Sequence, residues 1–316
     1  MRITITSMSL TRPSRKYDAS KQALRSCRVS QADFRDASAP ATVWRQVRTP
    51  AEVQAYTLPQ EDQDALAREQ AVALEFNGIS HSALLCSPSD LEDLAYGFSM
   101  TEGIIRSAAD IRGVDVLDGE HGSLLQIEIA SACQHQLKAR RRQLAGRTGC
   151  GLCGLESLDE VRRQLPRLDA PEHSPDAAAI FQALDALRSS QPLHQLTGAT
   201  HAAAWCSLQG SILAVREDVG RHNALDKLLG HMLRNDIDPR SGMVLISSRA
   251  SFEMVQKAAA MGINFVVAVS APTAYAVQIA DELGVMLAAF ARDRSFTLYS
   301  HPHYLNTAES KSATSP

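Results

Sequence analysis

A chain of 316 residues, 45% hydrophobic and only 5% aromatic, is long enough for one large or two modest domains with buried cores. Its net charge of −3 and pI near 6.4 exclude a bulk attraction for nucleic acid, and no apolar run approaches the roughly 20 residues that span a bilayer. Residues 1–30 lack the apolar stretch of a secretory signal, and six cysteines are sparse for a disulfide framework at this length, so a reducing compartment, the cytoplasm, is expected.

Residues 1–40 carry eight Lys or Arg against three Asp (Asp18, Asp33, Asp36) with no sustained hydrophobic period. That composition predicts a disordered basic tail over residues 1–50; the acids and weak amphipathicity argue against an organellar transit peptide. An N-terminal α/β subdomain is expected over 51–155. In it Ala71–Phe76 and Ile79–Cys86 read as strands about an Asn77-Gly78 hairpin turn. Ser89-Asp90-Leu91-Glu92 reads as a capping box opening a helix toward Glu102. Ile111–Leu117 and Leu124–Ile129 read as two more strands, followed by a basic segment with Lys138, Arg140, Arg141, Arg142 and Arg147.

Residues 156–305 read as a larger α/β domain, with a frayed tail over 306–316. Strands are expected at Ala202–Ser207 and Ser211–Val215, then a helix over Arg221–Leu233. Strand and helix then alternate: Met243–Ile246, a helix over Phe252–Met261, Phe265–Val269, a helix between Thr273 and Gly284, and Val285–Phe290, with Phe296–Tyr299 beside it. The apolar runs do not alternate with polar residues, as expected of strands buried on both faces of a parallel sheet with right-handed crossovers. Ligands in such sheets sit beyond the strands' carboxyl ends. Those ends carry Ser247-Ser248-Arg249, Ser270-Ala271-Pro272-Thr273 and Phe290-Ala291-Arg292-Asp293-Arg294, hydroxyls and arginines that suit phosphates.

Thr148-Gly149-Cys150-Gly151-Leu152-Cys153-Gly154 is the most informative segment. Its glycines permit sharp turns and close approach to another molecule. The upstream basic side chains would favour the thiolate, which is the nucleophile that accepts a persulfide sulfur. Two other chemistries compete. A zinc knuckle needs four ligands, which His201 and Cys206 would have to complete, and a thioredoxin-like redox role lacks the expected βαβ context. Farther on, Glu217-Asp218-Val219-Gly220-Arg221-His222-Asn223-Ala224-Leu225-Asp226-Lys227 places basic residues in the first turn of a helix. That placement is unfavourable without an anion, so it points either to an anionic ligand or to an internal ion-pair network.

The chain resembles the formate dehydrogenase accessory sulfurtransferases of bacteria (the FdhD family). The resemblance rests on Gly149–Gly154, on Arg216–Lys227, on Ser247-Ser248-Arg249, and on Phe290–Ser295 followed by Thr297–Pro302. It implies a cytidine deaminase-like main domain with a smaller mixed α/β N-terminal domain. It also implies that sulfur passes from a cysteine desulfurase to a molybdenum bis(molybdopterin guanine dinucleotide) cofactor, bound as substrate, for formate dehydrogenase. Cys150 then maps to the persulfide carrier and Cys153 to the assisting thiol. The guanine-dinucleotide loop maps to Phe290, Ala291, Arg292, Asp293, Arg294 and Ser295, where a guanine nucleotide would mimic the cofactor. The family carries a basic residue at the last loop position; here Ser295 stands there and Arg294 precedes it. A homodimer is implied as well. Deaminase chemistry is not, because His201 is followed by Ala202-Ala203 and the Cys pair precedes it. The alternative function is a non-catalytic chaperone that binds the cofactor without carrying sulfur.

Overall fold

The computed structural model describes residues 37–45, 60–147, 163–292 and 295–307. Among them the chain forms a two-stranded ribbon, a four-stranded sheet and a six-stranded sheet. The ribbon pairs β1 (Ser38–Arg45) antiparallel with β2 (Gln60–Ala67). Part of the segment expected to be a tail is therefore a strand. Its sequence has Pro40 between alanines near its start and only Thr42-Val43-Trp44 as strand formers, and its ladder hydrogen bonds come from β2.

The four-stranded sheet has the order β4-β3-β6-β5, from β3 (Gln70–Phe76), β4 (Ile79–Cys86), β5 (Ile111–Gly119) and β6 (Gly122–Ile129). Asn77 and Gly78 both take positive φ, 47° and 77°, as the two-residue hairpin turn between β3 and β4 requires. Alternate residues Val72, Leu74 and Phe76 of β3, and Leu125, Ile127 and Ile129 of β6, face one core. Helix α1 (Leu91–Thr101) supplies Leu94, Ala95 and Phe98 to it. The basic segment is itself a helix, α2 (Ser131–Arg147), whose Cys133 and Leu137 anchor its first turns in the same core.

The capping box expected at Ser89–Glu92 does not form. Asp90 sits at φ 54° without a side-chain cap bond, because the acids of this turn reach outward instead. Arg216 Nε donates to Asp93 Oδ2 at 2.8 Å and Arg234 Nη1 to Asp93 Oδ1 at 2.6 Å, while Arg216 also pairs with Asp90 and Arg234 with Glu92.

Downstream lie α3 (Ala177–Leu187), which the sequence pattern had not marked, and the short α4 (Pro192–Thr197). The six-stranded sheet follows in the order β12-β11-β10-β9-β7-β8. Its strands are β7 (His201–Ser207), β8 (Ile212–Asp218), β9 (Gly242–Ile246), β10 (Phe265–Ala268), β11 (Met286–Arg292) and β12 (Ser295–Ser300). Strands β9, β10 and β11 are parallel as the alternation predicts. The β7–β8 hairpin and β12 add antiparallel pairs on either side. Helices α5 (Arg221–Arg234), α6 (Phe252–Ala260) and α7 (Ala274–Leu283) share a core with Trp205, Val244, Ile246, Val266 and Leu287. The intervening strand residues Ala204, Cys206, Leu245 and Val267 pack with α3 on the other face. Both faces being covered explains the unbroken apolar runs. No helix among the described residues is long and apolar enough to cross a membrane.

The two sheets are joined through α1 and α5, which cross with backbone nearly in contact. A Cβ on Gly97 would stand 1.8 Å from the Asp226 carbonyl oxygen, and one on Gly230 would stand 1.8 Å from that of Asp93. Only glycine at both positions permits this approach.

Candidate functional site

Strand directions place five chain segments on one rim. The amino end of β7 and the carboxyl ends of β8, β9, β10 and β11 meet there, together with the N-termini of α5, α6 and α7. Backbone bonds tie the loops together. Ser247 N donates to Ala202 O at 2.9 Å, Ala250 N to Ala271 O at 3.2 Å, Thr273 N to Ala250 O at 3.0 Å, and Phe290 N to Ser270 O at 3.1 Å. The three rim segments expected from the sequence are thus one continuous surface. Several of their hydroxyls, however, serve the fold. Ser247 Oγ accepts from Ala202 N, Ser248 Oγ donates to Arg249 O, and Thr273 Oγ1 accepts from Ala276 N as the α7 cap.

The acidic members of the Glu217–Lys227 run are used internally, which decides between the two accounts of that motif for these residues. Glu217 accepts from Leu193 N, His194 N and Thr200 Oγ1 at 2.8–3.0 Å and so caps α4. Burial pushes its carboxyl up, against those donors. Asp218 and Lys227 are wholly buried and 2.6 Å apart. Asp218 also accepts from Ser87 N and Gly220 N, and Lys227 donates to Ser87 O. Asp226 accepts from Thr101 Oγ1 at 2.8 Å and Lys257 Nζ at 2.9 Å. Burial raises the Asp226 carboxyl; burial would lower Lys257, but Asp226 and Glu102 outweigh it and hold the ammonium above its ordinary range.

Of the basic members, Lys227 is buried with Asp218, and Arg221 and His222 stand at the rim end of α5. Arg221 and His222 open α5 behind Gly220, which provides no side-chain cap. Arg221 Nε is withdrawn from solvent without a hydrogen-bond partner among the described residues, as is Ser251 Oγ at the start of α6. His222 Nε2 lies 2.6 Å from Glu253 Oε2, out of line for a hydrogen bond. Burial lowers the His222 pKa, Glu253 opposes the shift, and the Arg221 and Lys257 charges add to it. His201, at the amino end of β7, is lowered by burial and then by Arg221. Glu253 was missed from sequence. Its only signal is spacing: Glu253 and Lys257 on α6 match His222 and Asp226 on α5, two pairs at i and i+4.

At the far side of the rim Phe290 takes φ 51° where β11 is bulged against β12. A left-handed aromatic residue is strained, and such strain gathers at functional sites. Phe290 is 39% exposed, and the Arg292 guanidinium carbon lies 6.0 Å from its ring centroid. Ala291 is buried, and Ser295 Oγ donates to Arg292 O at 3.4 Å. Cys150, Cys153, Asp293 and Arg294 lie outside the described residues, as do the side chains of Arg140, Arg141, Arg142 and Arg147.

The zinc account loses its second pair of ligands. Cys206 is wholly buried in the core beside α3, where burial pushes its thiol up to about 12. His201 is five residues away along the same strand, so the two side chains leave opposite faces.

Comparison with known proteins bears on the same stretch of chain. The FdhD/NarQ family model matches residues 67–306. A relative from Bordetella petrii named sulfur carrier protein FdhD is 56% identical over 242 residues, 77% of this chain and 87% of its own length. One of the same name from Cupriavidus necator is 52% identical over 245 residues, 77% of this chain and 84% of its own. A crystal structure from Desulfotalea psychrophila, of a protein assigned as a formate dehydrogenase accessory protein, shares the fold. Its TM-score is 0.63 at 22% identity, covering 85% of this chain and 100% of that one. With the family model running from β2 to the end of the six-stranded sheet and both halves present in one fold, the chain belongs to the FdhD/NarQ family.

Proposed function

We propose that this chain is a sulfur carrier of formate dehydrogenase maturation. Cys150 takes sulfur from a cysteine desulfurase as a persulfide and passes it to molybdenum bis(molybdopterin guanine dinucleotide), bound as substrate. The observation that carries this proposal is Cys150-Gly151-Leu152-Cys153, which lies inside the region matched by the family model, in a chain whose 56% and 52% identical relatives are named sulfur carriers.

In the loading step the Cys150 thiolate attacks the outer sulfur of the desulfurase persulfide. A new S–S bond forms at Cys150, the old one breaks, and the desulfurase cysteine departs as its thiolate. Attack of the Cys153 thiolate on the inner sulfur then releases hydrosulfide and leaves a Cys150–Cys153 disulfide, which a thiol reductant reopens. Three buried, unbridged thiols, Cys86, Cys133 and Cys206, agree with the reducing cytoplasm that this cycle needs.

The anchors on either side support delivery to the rim. Helix α2 ends at Arg147, and Arg163 takes up the described chain again. Arg163 N donates to Gln256 Oε1 at 2.9 Å and its Nη1 to Met100 O at 3.2 Å. Gln256 follows Glu253 by one turn on α6. In sequence, Cys150 stands three residues after Arg147 and Cys153 ten before Arg163. At the rim, Arg292 with the N-termini of α6 and α7 would hold phosphates, with Arg294 added on the family resemblance, and the exposed Phe290 offers a base a face to stack on. We also assign the six-stranded layer to the cytidine deaminase-like class, supported by its hairpin–α–β–α–β–α–β order, and assign a homodimer on the family resemblance.

The test is intact-protein mass after incubation with a cysteine desulfurase and cysteine. Wild type gains one reductant-labile sulfur atom, Cys150→Ala gains none, and formate dehydrogenase activity is lost in cells carrying that variant. If Cys150→Ala supports the enzyme fully while Arg292→Ala does not, the chain is a cofactor chaperone and the sulfur-carrier function is wrong.

A further inference from the structure

We propose that Arg221, His222 and His201 form a proton-coupled site for a doubly charged tetrahedral oxyanion, separate from the Phe290–Ser295 loop. The proposal rests on the reading that a large anionic substrate docks at this rim, and it adds a second point of attachment. His201 on β7 and Phe290 on β11 are three strand spacings apart in the sheet, about 14 Å. One phosphate cannot touch both ends.

Arg221 and His222 occupy the first two positions of α5, where the helix dipole disfavours cations. Glu253 of α6 faces His222, but the acids of the run itself do not account for Arg221. Glu217 caps α4, Asp218 binds Lys227 and Ser87, and Asp226 binds Lys257 and Thr101. Arg221 Nε and Ser251 Oγ are buried polar atoms without a hydrogen-bond partner among the described residues, and leaving such atoms unmade is costly. The N–H groups of the first turn of α5 lack intrahelical acceptors as well. An oxyanion at the α5 N-terminus would give the first-turn N–H groups and the Arg221 guanidinium an acceptor and reverse the unfavourable dipole interaction.

A two-rung ladder holds the histidine. Across α5 and α6, His222 faces Glu253 at 2.6 Å and, one turn deeper, Asp226 faces Lys257 at 2.9 Å. The groups acting on His222 are Arg221 and Asp226 of α5 and Glu253 and Lys257 of α6. Those acting on His201 are Asp218 of β8, His194 of α4, and Arg221 and His222 of α5. Burial and the Arg221 charge favour the neutral form of both imidazoles in the free chain. An arriving dianion favours the protonated form, so binding takes up protons and strengthens as pH falls below 7. Glu253 is 46% exposed on its side chain, and imidazolium at His222 offsets its repulsion of the anion.

The oxyanion could be a phosphate of the dinucleotide or an oxometal group. Calorimetric titration of the full chain with GDP, inorganic pyrophosphate and molybdate, at pH 6.0 and 7.5 in buffers of different ionisation enthalpy, separates these sources. Pyrophosphate or molybdate is expected to bind wild type with net proton uptake and more tightly at the lower pH. Arg221→Gln should weaken that binding roughly tenfold or more, and His222→Asn should reduce the proton uptake. Circular dichroism and urea denaturation report that both variants are folded, and loss of GDP binding in Arg221→Gln would assign the site to a nucleotide phosphate. Unchanged pyrophosphate and molybdate affinities in Arg221→Gln, or no proton uptake by wild type, would overturn the oxyanion site while leaving the sulfur-carrier function standing. Failure of wild type to bind any of the three probes removes the site and the docked cofactor together.

Discussion

Alanine at Gly230 is expected to destabilise the protein severely, although alanine is the better helix former. The propensity gain is about 1 kcal/mol. Against it stands a Cβ placed 1.8 Å from the Asp93 carbonyl oxygen and 2.7 Å from Gly97 N. Both obstacles are backbone, so no side chain can rotate away, and α1 and α5 must separate by more than an ångström. Overpacking in cores typically costs about 1–3 kcal/mol, and this case belongs at or above the top of that range. Gly97→Ala, facing the Asp226 carbonyl at 1.8 Å, should behave alike. Urea denaturation followed by circular dichroism measures the effect, and a Gly230→Ala protein as stable as wild type would show that the crossing is looser than described.

Lys227→Met should be nearly as damaging for an electrostatic reason. The ammonium is fully buried, with Asp218 Oδ2 at 2.6 Å and Ser87 O at 2.9 Å. Removing it leaves a desolvated carboxylate and an unpaired carbonyl. Breaking a buried pair from one side costs about 3–5 kcal/mol, far more than the pair's net contribution over an apolar substitute. The double variant Asp218→Asn with Lys227→Met should therefore recover part of the loss. A single-variant cost below about 1 kcal/mol would mean that Asp218 is relieved by water or by its other donors, Ser87 N, Gly220 N and Asn223 Nδ2.

The strand–helix alternation from β9 to β11 was legible because each apolar run is flanked by its own stop signal, Gly262 after α6 and Gly284 after α7. Thr273 does cap α7 as its residue type predicts. Other parts were not legible, for identifiable reasons. Ser89–Glu92 has the letters of a capping box, yet its acids Asp90 and Glu92 pair with Arg216 and Arg234, more than 120 positions away. Such a tertiary competitor is invisible to local pattern. Helix α3 carries a cap at Asp176 that accepts from Ala179 N, but its alanine-rich face gives little contrast. The Glu217–Lys227 run was recognisably functional in composition. Which members turn inward and which face the rim depends on where α1 and α6 lie against α5, and no spacing within the run carries that information.

The crossing of α1 on α5 also limits how this protein can be rebuilt or have diverged. A chimera that exchanges the four-stranded sheet for that of another family member must import a helix with glycine opposite Asp226 and preserve Gly230 on the acceptor. It must also supply the Ser87 backbone that Lys227 and Asp218 grip. The two halves are thus coupled through close backbone approaches as well as through the Arg216, Arg234 and Asp226 side chains, and a graft must match both.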